Sequence, residues 1–374
     1  MKYKTLKELC EVISDCPHST PKWTDHGKIV VRNNNIKNGR IDLSSPSYTD
    51  EENFRQRIKR VIPQPGDLII TREAPMGEVG MIPEGIECCL GQRMVLLRAN
   101  PQECDNYYLL YSIQSREVQH QISWSEGTGT TVSNLRIPHL EQLKIPYLPL
   151  KEQEKIVAIL KSLDGKIALN NKINDNLEQQ TQALYQKYFP ETDNAGKLAD
   201  LCDFSKDKIA VSELNVKNYF STENMLPDKK GTTEAANLPA VEQTTACHIG
   251  NVLVSNIRPY FKKILYCHCE GGCSTDVLCF VPKILELSAY LYCTLYADKF
   301  FDFMVAGSKG TKMPRGDKKQ IMTYSVCLPS ENELKNFNAA VLPMFQLIES
   351  NRRENARLSL LRDTLLPKLM AGEI

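Results

Sequence analysis

The 374-residue sequence has no apolar run approaching the roughly 20 residues that a membrane-spanning helix needs. Its start, Met1-Lys2-Tyr3-Lys4, leads into polar sequence without the apolar segment of a secretory signal. These absences point to a cytoplasmic protein with no membrane partner. Net charge is scarce too: 46 Lys and Arg stand against 45 Asp and Glu, for a sum of +1. The overall basic excess of many nucleic-acid binders is missing, but phosphate contacts depend on where Lys and Arg are placed, so DNA is not excluded. The 13 cysteines are scattered without a paired framework, which favours reduced thiols over a disulfide scaffold.

Catalytic signatures are absent as well. Gly307-Ser308-Lys309-Gly310-Thr311-Lys312 lacks the spacing of a phosphate-cradling loop. There is no Asn/Asp-Pro-Pro-aromatic motif for an exocyclic amino group and no Gly-x-Gly loop for a methyl donor; Asn256-Ile257-Arg258-Pro259-Tyr260 is a distant echo of the first. Asp67 and Glu73 lie close in sequence, but no lysine follows to complete a nuclease site. His18, His26, His120, His139 and His248 form no evident triad. Cys267, Cys269, Cys273 and Cys279 with His268 have the wrong spacing for a zinc knuckle and read as buried strand thiols. The expectation is a chain with no catalytic residues, no metal and no bound cofactor.

What is present is a repeat. Ile156, Leu160, Leu163, Ile167, Asn170, Asn174, Leu177, Thr181, Leu184 and Tyr188 alternate steps of four and three, the seam of a coiled coil. Adding 181 to each number gives Phe337, Val341, Met344, Ile348, Asn351, Asn355, Leu358, Arg362, Leu365 and Leu369, with two asparagines in the same places. Leu148-Pro149 and Leu328-Pro329 precede the two stripes. Pro343 is the blemish: it should kink the second helix near its start or mark the true N-terminus.

The flanking segments repeat more faintly and in the same order. Leu9-Cys10 is echoed by Leu201-Cys202, Pro65 to Ile70 by Ile249 to Val254, Tyr108-Leu109 by Tyr290-Leu291, and Gly129-Thr130 by Gly310-Thr311. The chain therefore divides into a domain at 1–150, a helix at 151–189, a domain at 190–329 and a helix at 330–374. The fold class is α+β: two mixed α/β domains separated by two long helices that form an antiparallel coiled coil. Helical pieces are expected around Tyr107–Glu117 and Leu287–Phe303.

Antiparallel pairing follows from connectivity. A compact domain between the helices brings the end of one to the start of the other, whereas a parallel pair would make it bridge about 50 Å, roughly 33 residues at about 1.5 Å each. Paired positions then sum to 525, so Asn170 meets Asn355 and Asn174 meets Asn351. Buried asparagine pairs set register because a slip leaves an amide unpaired; alternatively, the four mark a solvated gap. Two similar domains related by an approximate two-fold axis and held apart by such a spacer suit a split DNA target.

At this point the residues resemble a family. Leu148-Pro149-Leu150-Lys151-Glu152-Gln153 looks like its Leu-Pro-Pro-Leu-x-Glu-Gln helix start, and the alternation of domains and helices, ending in Leu365-Leu366-Pro367-Lys368-Leu369-Met370-Ala371-Gly372-Glu373-Ile374, is similar to the specificity subunit of type I restriction–modification enzymes. The start of the second helix, Ser330 to Glu333, and Pro343 depart from the pattern. The resemblance implies two target-recognition domains that read a bipartite site in double-stranded DNA. It also implies two adenine-methyltransferase subunits using S-adenosylmethionine, and motor-nuclease subunits using ATP and Mg2+ as optional additions. A coiled-coil DNA-binding regulator without enzyme partners and a free-standing nuclease are the alternatives.

Readers of base edges use Arg for guanine and Asn or Gln for adenine, with Lys and Arg on phosphates. In the first domain that composition selects Arg32, Asn33 and Asn34, then Arg72, and Thr128, Thr130 and Asn134 in a Gly-rich loop. In the second it selects Asn256, Arg258, Lys309, Lys312 and Arg315. The Arg55–Arg60 run reads as surface charge.

Overall fold

The two long helices start by different means. The computed structural model describes residues 2–37, 39–124, 134–190 and 195–373. The first long helix spans Leu150–Tyr188. Its Gln153 is fully buried and turns back on the preceding chain: Nε2 donates to the carbonyls of Glu103 (3.0 Å) and Leu148 (2.8 Å), and Oε1 accepts from the Asp105 amide (2.9 Å). The second spans Glu331–Ala371. It begins with a reciprocal cap in which Ser330 Oγ accepts from the Glu333 amide and Glu333 Oε2 accepts from the Ser330 amide. At the place of Gln153, buried Leu334 supplies apolar contact instead. Pro343 does not mark the N-terminus: the helix runs through it, the loss of one backbone donor being outweighed by the apolar face that Phe337, Val341 and Phe345 bury around it.

The molecule divides into two compact units, Met1–Ala168 with Asn355–Ile374, and Leu169–Glu354. Each takes half of both helices. In unit 1, Ile156, Val157 and Leu160 join Leu366, Leu369 and Met370 in one core with Leu68, Ile70 and Tyr108. In unit 2, Phe337, Val341 and Phe345 pack with Phe189, Phe280 and Tyr290.

Unit 1 is built on a six-stranded sheet in the order Cys10–Asp15, Met94–Ala99, Leu68–Thr71, Val79–Met81, Gly39–Ile41, Ile36–Lys37. A four-stranded sheet, Cys88–Leu90, Lys28–Val31, Ser47–Thr49 and Trp23–Thr24, lies beside it in sequence. Unit 2 has two four-stranded sheets. One runs Cys202–Phe204, Val277–Pro282, Val252–Ser255, Ile264–Tyr266; the other runs Lys208–Ala210, Gln243–Cys247, Gly271–Cys273, Tyr219–Phe220. Leu68–Thr71 and Val252–Ser255 are buried at every position, as expected of central strands covered on both faces.

Two of the faint sequence echoes, Pro65 to Ile70 with Ile249 to Val254 and Tyr108-Leu109 with Tyr290-Leu291, are structural equivalences down to single hydrogen bonds; Gly129-Thr130 lies outside the described residues. Gly66 and Gly250 both hold φ +87°, a conformation that favours glycine. Their amides donate to Ile82 and Cys267 at 2.9 and 3.0 Å, and those residues donate back to the carbonyls of Asp67 and Asn251. Tyr108 Oη donates to the Pro146 carbonyl, and Tyr290 Oη to that of Cys327. Each expected helical piece is two helices: Asn106–Gln114 and Arg116–Trp124, Ser288–Tyr296 and Asp298–Ala306. They break at Ser115 and Ala297, both extended.

Within unit 2 the helices run antiparallel. Asn351 Nδ2 donates to Asn174 Oδ1 at 2.8 Å, Arg352 pairs with Glu178 at 2.9 Å, and Thr181 meets Met344 Sδ at 3.6 Å. Asn170 donates to Glu354 Oε2 at 2.7 Å. Within unit 1 the register continues with Arg362 on Asp164 at 2.9 Å; Asn355, half-buried, begins that unit's share of the second helix. The Asn174–Asn351 pair is buried, so Asn174→Leu strands one amide and is expected to cost about 1–3 kcal/mol. Asn174→Leu with Asn351→Leu is expected to return most of that loss. Urea midpoints of the two variants check this; equal destabilisation in both would count against a register pair.

One surface assignment is corrected. Arg57, in the run read as exposed, is 5% exposed. It shares a face of the short helix Glu51–Arg57 with Phe54 and donates to the carbonyls of Pro17, Ser19, Leu90 and Gly91 at 2.9–3.2 Å.

Candidate nucleic-acid interface

In both units the chain leaves the central strand through a tight turn. Thr71-Arg72-Glu73-Ala74-Pro75 in unit 1 corresponds to Ser255-Asn256-Ile257-Arg258-Pro259 in unit 2, because Met94 pairs with Thr71 where Val277 pairs with Ser255. Ala74 and Arg258 both take positive φ, 41° and 49°, directly before a proline. The next segment closes each turn alike: the Leu135 amide donates to the Arg72 carbonyl at 3.0 Å, the Gly316 amide to that of Asn256 at 3.2 Å.

Around the first turn the structure brings Asn33, Arg72 and Asn134 together. Arg72 reaches Asp15 (3.0 and 3.1 Å), the Leu135 carbonyl (3.0 Å) and Asn134 Oδ1 (3.2 Å). Asn134 donates to Glu73 Oε1 at 2.7 Å, Arg93 pairs with Glu73 Oε2 at 3.1 Å, and Asn33 donates to the Glu73 carbonyl at 2.6 Å. The Arg72 side chain is 13% exposed, and its place is inside this network rather than at the surface. Arg32 and Asn34 are exposed, with Arg32 lying over the Trp23 ring at 5.0 Å. Thr128 and Thr130 lie outside the described residues.

Around the second turn Asn256 is buried beneath it, while Arg258 is half-buried and lines a cleft of about 660 Å³. The loop from Gly307 folds over the turn: Arg258 donates its amide to Pro314, and Lys309 and Arg315 exchange backbone bonds. Lys309 pairs with Asp317 at 2.7 Å and Arg315 with Asp276 at 3.0 Å; Lys312 is exposed. Burial holds the Lys263 ammonium below its usual range where it donates to the Thr222 carbonyl at 2.6 Å. Tyr260 and Phe261 are exposed, their ring centroids 4.8 Å apart and their planes tilted by 55°. Composition had not singled out Arg93, Tyr260 or Phe261. Their signal was the turn itself, since the echo of Pro65 to Ile70 continues at the same offset from Pro75 to Pro259.

Among the described residues no group of three or more His, Cys, Asp or Glu side chains is placed to hold a metal ion. Cys267, Cys273 and Cys279 are buried thiols in one small core with Cys247. No described helix is long and apolar enough to cross a membrane.

Residues 1–179 match the family described as "Type I restriction modification DNA specificity domain". The putative type I restriction enzyme MjaX specificity subunit of Methanocaldococcus jannaschii is 23% identical over 99% of this chain and 93% of its own length. The MjaIX specificity subunit of the same organism is 22% identical over 96% and 87%. The chain is thus similar to type I restriction–modification specificity subunits over nearly its whole length. The MjaVIII specificity subunit shares 31% identity over 46% of this chain and 42% of the relative. In fold, the chain is similar to the crystal structure of the type I restriction–modification S subunit from M. genitalium, with a TM-score of 0.61 and 18% identity over 98% of this chain and 95% of that one. The relatives are named as specificity subunits of type I restriction enzymes, and none of these three is named as a free-standing regulator or nuclease.

Proposed function

We propose that this chain is a type I specificity subunit that reads a bipartite duplex target, one half-site per unit, and holds two adenine-methyltransferase subunits over it. Those subunits would bring S-adenosylmethionine, and motor-nuclease subunits with ATP and Mg2+ would add cleavage. The reading places the protein in the cytoplasm beside DNA. The observation that carries it is the duplicated turn: a positive φ before a proline, at the same place after the central strand, recurs in both units with different side chains. A homodimeric reader repeats one half-site; two dissimilar copies in a single chain suit two different ones.

The test is the salt dependence and footprint of the complex assembled with its methyltransferase subunit. Affinity for the target should fall linearly on a log–log plot as phosphate contacts release counterions, with protection over two separated half-sites. Lys312→Ala should reduce the slope by about one while leaving the preferred sequence unchanged. A single continuous footprint, or failure to assemble with a methyltransferase subunit, would refute the reading.

A further inference from the structure

The proline turn after the central strand recurs in both units with a positive φ directly before the proline and a different side chain at that position. Ala74 occupies it in unit 1, and Arg258 in unit 2. A positive φ is disfavoured for any residue with a Cβ, and glycine would relieve it. An arginine held there has its side chain aimed by the turn, because the following proline and the hydrogen bond that the Arg258 amide donates to the Pro314 carbonyl fix the backbone on both sides.

The surroundings of that side chain set it apart from the neighbouring cations. Lys309, Arg315 and Lys262 are each paired with a carboxylate, and Lys263 with a carbonyl. Arg258 lines the cleft of unit 2, its Nε is buried, and among the described residues nothing accepts a hydrogen bond from it. Ser221, Thr222, Asn237 and Ser274 supply hydroxyl and amide groups along the same cleft, and Phe261 and Met313 line it with partly exposed apolar surface. Arg258 as a whole is only half-buried and its side chain has no acceptor among the described residues, so the rest of its fork is left for a ligand in the cleft. What would satisfy it is a pair of acceptors matched to the arginine fork and brought by such a ligand.

We infer that Arg258 is a specificity-determining residue of unit 2, donating to the O6 and N7 acceptors of a guanine in the half-site that this unit reads. The proposal rests on the DNA-reading function above and assigns it to one side chain. The guanine edge offers two acceptors in the geometry of the fork, and no other base pair presents that pattern in the major groove. Ala74, at the same position in unit 1, has no donor and reads no guanine through this position. The turn is thus a shared frame, and the side chain at its positive-φ position helps make the half-sites different.

The test uses the complex with its methyltransferase subunit and duplexes carrying each of the four bases at each position of the target. The wild-type complex should discriminate against replacement of one guanine in one half-site by between about 5- and 150-fold. In Arg258→Gly, which suits the positive φ and keeps the turn folded, that discrimination should fall to about onefold while every other position is read as before. Arg258→Gln should shift the preference at that position towards adenine. Discrimination retained at every position in both variants, whatever happens to overall affinity, would overturn the inference, since a phosphate contact weakens all sequences alike. If the wild-type complex discriminates at no position, the DNA-reading function fails instead.

Discussion

Arg57→Met is expected to destabilise the first unit by about 3 kcal/mol or more. The residue is 5% exposed and its guanidinium is the donor for four backbone carbonyls, on Pro17, Ser19, Leu90 and Gly91. A methionine of similar length fills the space but donates nothing. Each buried carbonyl left without a partner costs on the order of 1 kcal/mol or more, so several together exceed the cost of most single substitutions. Arg57→Lys should rescue little, because a point-like ammonium with three donors does not reproduce the planar fork that serves four acceptors. Urea unfolding followed on the full chain reads the result; an unchanged midpoint in Arg57→Met would show that water replaces the lost donors without cost. Burial also holds the Arg57 guanidinium below its usual range.

Arg72→Ala should be nearly as damaging, at about 3 kcal/mol, and would weaken DNA binding without any DNA contact being lost. Arg72 links the strand bearing Asp15 to Asn134 and the Leu135 carbonyl. The Arg72 and Asp15 side chains are 13% and 19% exposed. Removing one member leaves the other largely desolvated, and that penalty exceeds the net worth of the intact pair. His18 touches Asp15 at 3.0 Å but is itself 68% exposed, so it compensates only in part. The companion variant, Arg72→Met with Asp15→Leu, removes both charges and should recover at least half of the loss. Were Arg72 a base reader held only loosely by Asp15, the single variant would keep its midpoint and change the preferred sequence.

These two arginines mark the limit of what was legible in the sequence. The heptad stripes were readable because a long helix repeats its contacts, and Asn174 and Asn351 fell opposite each other as the register sum required. The paired strands were readable as short apolar runs. Arg57 was not, because a run of like charges usually lies in water; its spacing of three from Phe54 was the only sign of a buried face. Arg72 and Asn134 matched the composition of a reading loop, yet composition does not tell a side chain that faces a ligand from one that braces the loop facing it. Asn256 was misplaced for the same reason, since it lies beneath the turn and Arg258 lines the cleft. Pro343 looked like a helix boundary because local propensity opposes proline, and the apolar face packed around it prevailed. Repeats, in contrast, carry tertiary information: following the echo from Ile70 and Val254 through Pro75 and Pro259 would have exposed the shared turn before any coordinates.

The central claim is that one chain holds two readers of different half-sites and directs a methyltransferase to them. Mapping methylated adenine across a host genome, with and without the gene for this subunit, tests it most directly. The account predicts one motif of two unlike specific blocks separated by a fixed run of unspecified bases, present with the gene and lost without it. A methylation pattern unchanged by deletion, or a lost motif that is a single uninterrupted block, would contradict it.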